Sequence, residues 1–334
     1  MAVYTTIDNP ELYFQVKLYS GTGSAQSFTL DGSENMQPDL VWLKRRDGTG
    51  AHRLCDAVRG ATKLLQASAG DAEQTDSDTL TSFDSDGFTL GADSSDYKIN
   101  QSGQTMVAWN WKESATAGFD IVSYTGTGSS TDVSHSLSAV PELIFTKERS
   151  GTQWWFVYSA NAGAGAQKAL HLNESQAVSS QATAYDATPT SSVINYGADG
   201  GVNGSSDTYI AYLFRSIQGF SKVTGFYIAN GNVNGPYVHL GFTPAFVIFK
   251  KLNGASDWQV VDDKRVGHNP DQNYFNANAS LAEQTGDIID LVSNGFKIRG
   301  DNSNGWNKSG DHYLYIAFAK APFVNSKGVP CNAR

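Results

Sequence analysis

The chain's most constraining feature is a heptad that occurs three times. Pro38-Asp39-Leu40-Val41-Trp42-Leu43-Lys44 returns as Pro141-Glu142-Leu143-Ile144-Phe145-Thr146-Lys147 and again as Pro244-Ala245-Phe246-Val247-Ile248-Phe249-Lys250, each time 103 residues on. A fixed period means one structural unit made three times. The full 334 residues divide into units of about 100, near the commonest domain size. Both faces of the heptad are apolar, so it is expected to be a central strand covered on both sides. Proline fits its first position, where a ladder N–H is dispensable. Lys44, Lys147 and Lys250 are expected to end that strand at solvent.

The period also decides an ambiguity. Residues 52–67 would pass for helix on propensity, but His52 aligns with Trp155 and Trp258 at the same step. Trp155-Phe156-Val157-Tyr158 and Trp258-Gln259-Val260-Val261 are aromatic and β-branched, so all three copies are expected to be strands. Asp56 and Asp262 share a position where the second copy has Ser159. Asp86-Gly87 and Asn294-Gly295 mark two-residue hairpin turns. Charged residues make up only 17% of the chain and glycine contributes 33 positions, a composition suited to strands and turns. The expected fold is all-β: three tandem β-sandwich (jelly-roll-like) repeats over 13–112, 119–215 and 220–323. Residues 1–12 read as an arm that docks on a neighbouring subunit or frays, and 324–334 as a disordered tail. Ala160–Ala166 and Gly197–Ser206 read as long loops. The linkers at 113–118 and 216–219 are so short that the units should pack as one stiff body.

Several function classes lack their residues. Net charge is −9 and pI about 5.1, which argues against nucleic acid and anionic membranes. No apolar run is long enough to span a bilayer, and residues 1–20 carry no signal pattern. Cys55 and Cys331 show no metal spacing and are expected to be unpaired thiols of a reducing cytoplasm. No nucleophile elbow, zinc-protease or phosphate-loop motif occurs, so no catalytic residue, cofactor or metal is expected. Asp84-Ser85-Asp86-Gly87 and Asp301-Asn302-Ser303-Asn304-Gly305 lack the full calcium pattern and read as turns. A glycosidase pair of carboxylates has no sequence signature that would exclude it. His52 occupies a tryptophan position and reads as core. Trp154, adjacent to Trp155 on the opposite strand face, and Trp306, in a Gly/Asn/Ser loop, are the candidate surface glycan contacts. Packing between units is the competing explanation for both.

Pro38–Asp47 and His52–Lys63 resemble a domain of unknown function common in marine bacteriophages, especially cyanophages. So do Thr81–Gly91, Val107–Lys112, Asn234–Phe242 and Ser293–Arg299. Asn110 departs from the pattern, standing where similar sequences often have Cys. The resemblance implies a non-enzymatic virion structural protein, assembled in the host cytoplasm, and supplies no catalytic residues. The expected function is that of a tail fibre or receptor-binding appendage for host attachment. A capsid decoration protein or head fibre, anchored by the arm, and a glycan depolymerase are the alternatives. Expected partners are further copies of the chain (a homo-oligomer), other virion proteins and host surface glycan, without nucleic acid or membrane insertion.

Overall fold

A computed structural model describes residues 4–161, 168–265, 269, 272–301 and 305–331. Its first unit contains β1 (Phe14–Ser20), β2 (Gln26–Phe28), β3 (Leu40–Arg45), β4 (Arg53–Asp56), β5 (Lys63–Gln66), β6 (Gln74–Thr75), β7 (Leu80–Asp84), β8 (Gly87–Leu90) and β9 (Thr105–Trp111). A large antiparallel sheet runs β1-β9-β3-β4-β5-β6, and a small sheet β2-β8-β7 lies over it. The second unit builds the large sheet from Phe119–Thr125, Thr208–Phe214, Leu143–Glu148, Phe156–Ser159, Lys168–His171 and Ser179–Ser180 in that order. The third uses Ser221–Ile228, His312–Pro322, Phe242–Lys251, Gln259–Asp262, Gln272–Asn276 and Gln284–Gly286. The expected all-β sandwich forms, with the heptad strand at the centre of each large sheet.

Period-2 alternation sorts the heptad's side chains onto two faces. Val41 and Leu43 point outward and pack with Leu80, Phe88 and Leu90 of the small sheet. Leu40 and Trp42 point inward, as do Leu143, Phe145, Phe246 and Ile248, and all six belong to one core shared by the three units. Phe14 and Trp111 of the first unit touch Phe246 and Phe318 of the third, and Phe214 of the second touches Phe318. A cavity of about 30 Å³ remains among these rings, room for roughly one water and no ligand.

The hairpin between β7 and β8 forms one residue earlier than its dipeptide suggests: Ser85 and Asp86 make the turn, and Gly87, paired with Asp84, opens β8. Gly87 has φ +109°, and a Cβ there would stand 1.9 Å from the Phe28 carbonyl oxygen, so only glycine fits. The second unit covers its outer face differently. Thr131–Ser134 pairs with Val193–Tyr196, and the expected loop Gly197–Ser206 contains a helical turn, Gly200–Asn203. Val202 from that turn enters the outer core. Most of the other expected loop, residues 162–166, lies outside the described residues.

Both chain ends depart from expectation. The arm docks on the third unit of its own chain: Tyr4 donates to the Gly241 carbonyl at 2.8 Å, and Ile7 is buried in the shared core. The tail through Cys331 is pinned rather than disordered. Ser326 N–H and its hydroxyl both bond Asp8, at 2.6 and 2.5 Å, and Cys331 N–H donates to Phe323. Cys55 is buried and Cys331 exposed, both free thiols.

At the first linker, burial pushes the Glu113 carboxyl up to about 8, and hydrogen bonding to neighbouring Asp120 adds to the rise. The folded chain therefore holds a proton that the unfolded chain releases in the ordinary carboxylate range. Between those limits the folded state binds more protons, so its stability falls as pH rises. The melting temperature of the parent is expected to fall relative to that of Glu113→Gln between pH about 5 and about 9, because only the difference between the two curves isolates this carboxyl from the buried lysines and histidines that titrate in the opposite sense. A parent-like slope in the variant would assign the proton elsewhere.

Candidate functional site

The three units meet at three seams that close into a ring. Main-chain bonds repeat around it: Glu73 N–H donates to Arg149, Val178 N–H to Leu252 and Glu283 N–H to Arg46, at 2.9, 3.0 and 2.8 Å. Indole bonds follow the same rule. Trp155 Nε1 donates to the Gln66 carbonyl at 2.8 Å, and Trp258 Nε1 to the His171 carbonyl at 2.9 Å. Each target carbonyl lies at the end of a strand in the neighbouring unit. His52 holds the third equivalent position, as a core residue. Its Nδ1 accepts from Trp42 Nε1 at 2.9 Å, leaving Nε2 to carry the proton. Nε2 faces the Asn276 main chain but forms no hydrogen bond of good geometry there.

The heptad lysines do not end at solvent. All three are buried, because their position falls on the inner face, where the neighbouring unit covers it. Lys44 Nζ donates to the carbonyls of Gly50 and, across the seam, Leu281, at 2.6 and 2.7 Å. Lys250 Nζ reaches Ser256 and, across its seam, Ser175, at 2.6 and 2.8 Å. Lys147 stays within its own unit on Glu148 at 2.6 Å. Burial pushes Lys44 down to about 7, and Lys147 and Lys250 to about 8. The carbonyls oppose that trend by solvating the ammonium form.

Two seams carry a buried Asp–Arg pair and, among the described residues, the third does not. Between units one and two, Tyr212 donates to Asp56 at 2.7 Å and Arg59 Nε pairs with the same carboxylate at 2.5 Å. Arg59 and Arg149 both pair with Glu73. Between units three and one, Trp109 Nε1 donates to Asp262 at 2.9 Å and Arg265 pairs with it at 2.6 Å. Arg46 there pairs with Glu283. Between units two and three, Leu252 and Val178 replace the outer Arg–Glu pair. Ser159 and Ile316 replace the Asp and its indole or phenol donor. Position 162, outside the described residues, carries Ala instead of Arg. The charges of this seam are thus replaced as a set, and the main-chain bond is unchanged.

The tryptophan candidates separate. Trp306 is half-buried: its Nε1 donates to the Arg299 carbonyl at 2.8 Å, and it packs on the core beside Tyr274. That is packing, not an open platform. Trp154 is 44% exposed. Its ring lies 4.7 Å from the His171 ring, and burial pushes that imidazole down to about 4, so it is neutral. Trp154 borders a depression of about 360 Å³ between units one and two, lined also by Ser68, Gly70, Gln153, Asn173 and Glu174. Asn173 Oδ1 accepts from Trp155 N–H at 2.9 Å. The corresponding position in unit three is Asp257, which holds Asn276 and Asn278 at 3.0 and 2.7 Å; in unit one it is Ala51. With Trp in place of Asp, the Asn173 Nδ2 donor is left uncommitted.

The seam networks are visible in the sequence only by comparing copies. Asp56/Arg59 and Asp262/Arg265 keep one spacing, which Ser159/Ala162 breaks. Among the described residues no three His, Cys, Asp or Glu side chains gather as metal ligands, and no helix is long and apolar enough to cross a membrane.

No curated protein and no solved structure matches the chain. A family described as a domain of unknown function, DUF7483, matches residues 9–322, a single span running through all three units and both linkers. The chain belongs to DUF7483.

Proposed function

We propose that the chain is a non-enzymatic virion structural protein that serves as a tail fibre or receptor-binding appendage for host attachment. The observation that carries this reading is the shared core. Three units with their inner faces fully consumed make a stiff body, which presents loops that differ from copy to copy. The likeness of its strings to proteins of marine bacteriophages supports the virion setting. Attachment then works by many weak contacts multiplied over copies of the chain and over copies per particle. A head fibre anchored by the arm is disfavoured, because the arm is occupied on the chain's own third unit.

The purified full chain, added in excess to host cells, is expected to reduce subsequent particle adsorption. It is also expected to release no reducing sugar from host surface polysaccharide. Undiminished adsorption counts against attachment, and sugar release supports the depolymerase alternative.

A further inference from the structure

The geometry points to the depression beside Trp154 as a binding subsite for one ring of a neutral saccharide. This rests on the attachment reading for its biological role, but not for its chemistry. The indole lies 4.7 Å from the neutral His171 ring, tilted by 50°, and Trp154 remains 44% exposed at the edge of the depression. An exposed indole face is electron-rich and apolar, and suits the C–H face of a pyranose. Ligand sites pair such a surface with a few well-placed polar groups, and these are present. Asn173 offers Nδ2 while its Oδ1 is fixed by Trp155 N–H. Gln153 and Glu174 border the same space. Ser68 Oγ is buried without a partner in this structure. The volume, about 360 Å³, falls at the lower end of the roughly 300–1,000 Å³ usual for ligand sites.

The charge of the lining selects the sugar class. Among the described residues no Lys or Arg borders the depression and Glu174 does, so carboxylated sugars are disfavoured. The comparison among seams shows that the site is not a by-product of the repeat. Its counterparts are Ala51, without a platform, and Asp257, which ties up the neighbouring asparagines.

The test titrates the full chain with methyl β-glucoside, methyl β-galactoside, N-acetylglucosamine and N-acetylneuraminic acid. Calorimetry and tryptophan fluorescence are the readouts. At least one neutral sugar is expected to bind with Kd on the order of 1 mM, and the acid is expected not to bind. Trp154→Ala should abolish binding and Trp154→Phe should retain it. Asn173→Asp, which keeps Oδ1 but removes the donor, should weaken binding by at least about tenfold. Trp154 is exposed, so its variants are expected to fold, with circular dichroism as the check. No binding by any neutral sugar overturns the subsite; so does equal binding by Trp154→Ala, or binding of the acid alone. Adsorption separates the two readings. If wild type blocks it but no neutral sugar binds, attachment stands and the subsite falls. If sugars bind but wild type does not block, the subsite stands and attachment falls.

Discussion

Asp56→Ala is expected to lower the unfolding free energy by about 3–5 kcal/mol, because it strands a buried cation. Asp56 and Arg59 have fully buried side chains, and the carboxylate also accepts from Arg59 N–H and from Tyr212. Its removal leaves Nε of Arg59 and the phenol without their acceptor. Burial holds the Tyr212 hydroxyl well above its usual range, so it stays a donor and cannot adapt by ionising. Glu73 compensates little, since it reaches Arg59 through Nη1 alone, at 3.2 Å. Asp262→Ala should behave alike at its own seam. The unit-two counterpart, Ser159→Ala, should change stability by less than about 1 kcal/mol, because Ser159 Oγ has no partner to lose. Urea unfolding of the three variants measures the contrast. A sharper form replaces the whole triad, by Asp56→Leu, Arg59→Met and Tyr212→Phe. Removing every charge and donor together should cost less than Asp56→Ala alone, since buried ion pairs often break even against apolar residues of similar volume. The seam between units two and three is a natural instance, where Ile316, Ser159, Leu252 and Val178 stand in for the charges. Equal losses in Asp56→Ala and Ser159→Ala would refute this account.

The sequence carried the strands better than what covers them. Alternation in the heptad identified two apolar faces, and both are buried. It could not say that the inner face is covered by the other two units, because a buried face looks the same whichever chain segment lies on it. The lysines were misplaced for that reason: a polar residue closing an apolar run looks like a strand end. The 103-residue step aligned the heptads and the tryptophans, but it drifts in the last strand. Trp42 pairs with Trp109 and Phe145 with Tyr212, yet Ile248 pairs with Ile316. Register shifts on both sides of Pro244 accompany that change. A constant step would select Tyr315, whose ring instead packs on Phe296, in the third unit's own small sheet of Tyr237–His239, Gly295–Ile298 and Ile289–Val292. Trp154 was legible as an aromatic on the face opposite Trp155. Its exposure was not, because that depends on the loop of unit one across the seam. Trp306 shows the converse, since a Gly/Asn/Ser setting did not prevent its burial.

The middle unit alone, residues 119–215, is expected not to fold as a monomer. Eleven of its core side chains, from Phe119 and Ile121 through Phe145 and Trp155 to Tyr212 and Phe214, belong to the core shared by all units. At about 1.5–3 kcal/mol for each large apolar side chain, even half of that burial is comparable to the roughly 5–15 kcal/mol that stabilises a whole domain. The remaining outer core of the unit holds only the twelve residues around Ile144, Tyr185 and Tyr196. Open repeat arrays can lose a unit and keep the rest, because each contacts only its neighbours. A closed ring lacks that tolerance, as each deletion opens two seams and the common core together. The intact chain should therefore melt in one transition, while the fragment should show no dispersed amide spectrum at low concentration. If the fragment gains structure at high concentration, it should do so as a trimer, with three copies supplying to one another the faces that the chain supplies to itself. Sedimentation and amide spectra across a concentration series distinguish these outcomes. A folded, monomeric middle unit, or three separate transitions in the full chain, would show that the units hold their own inner faces without the ring.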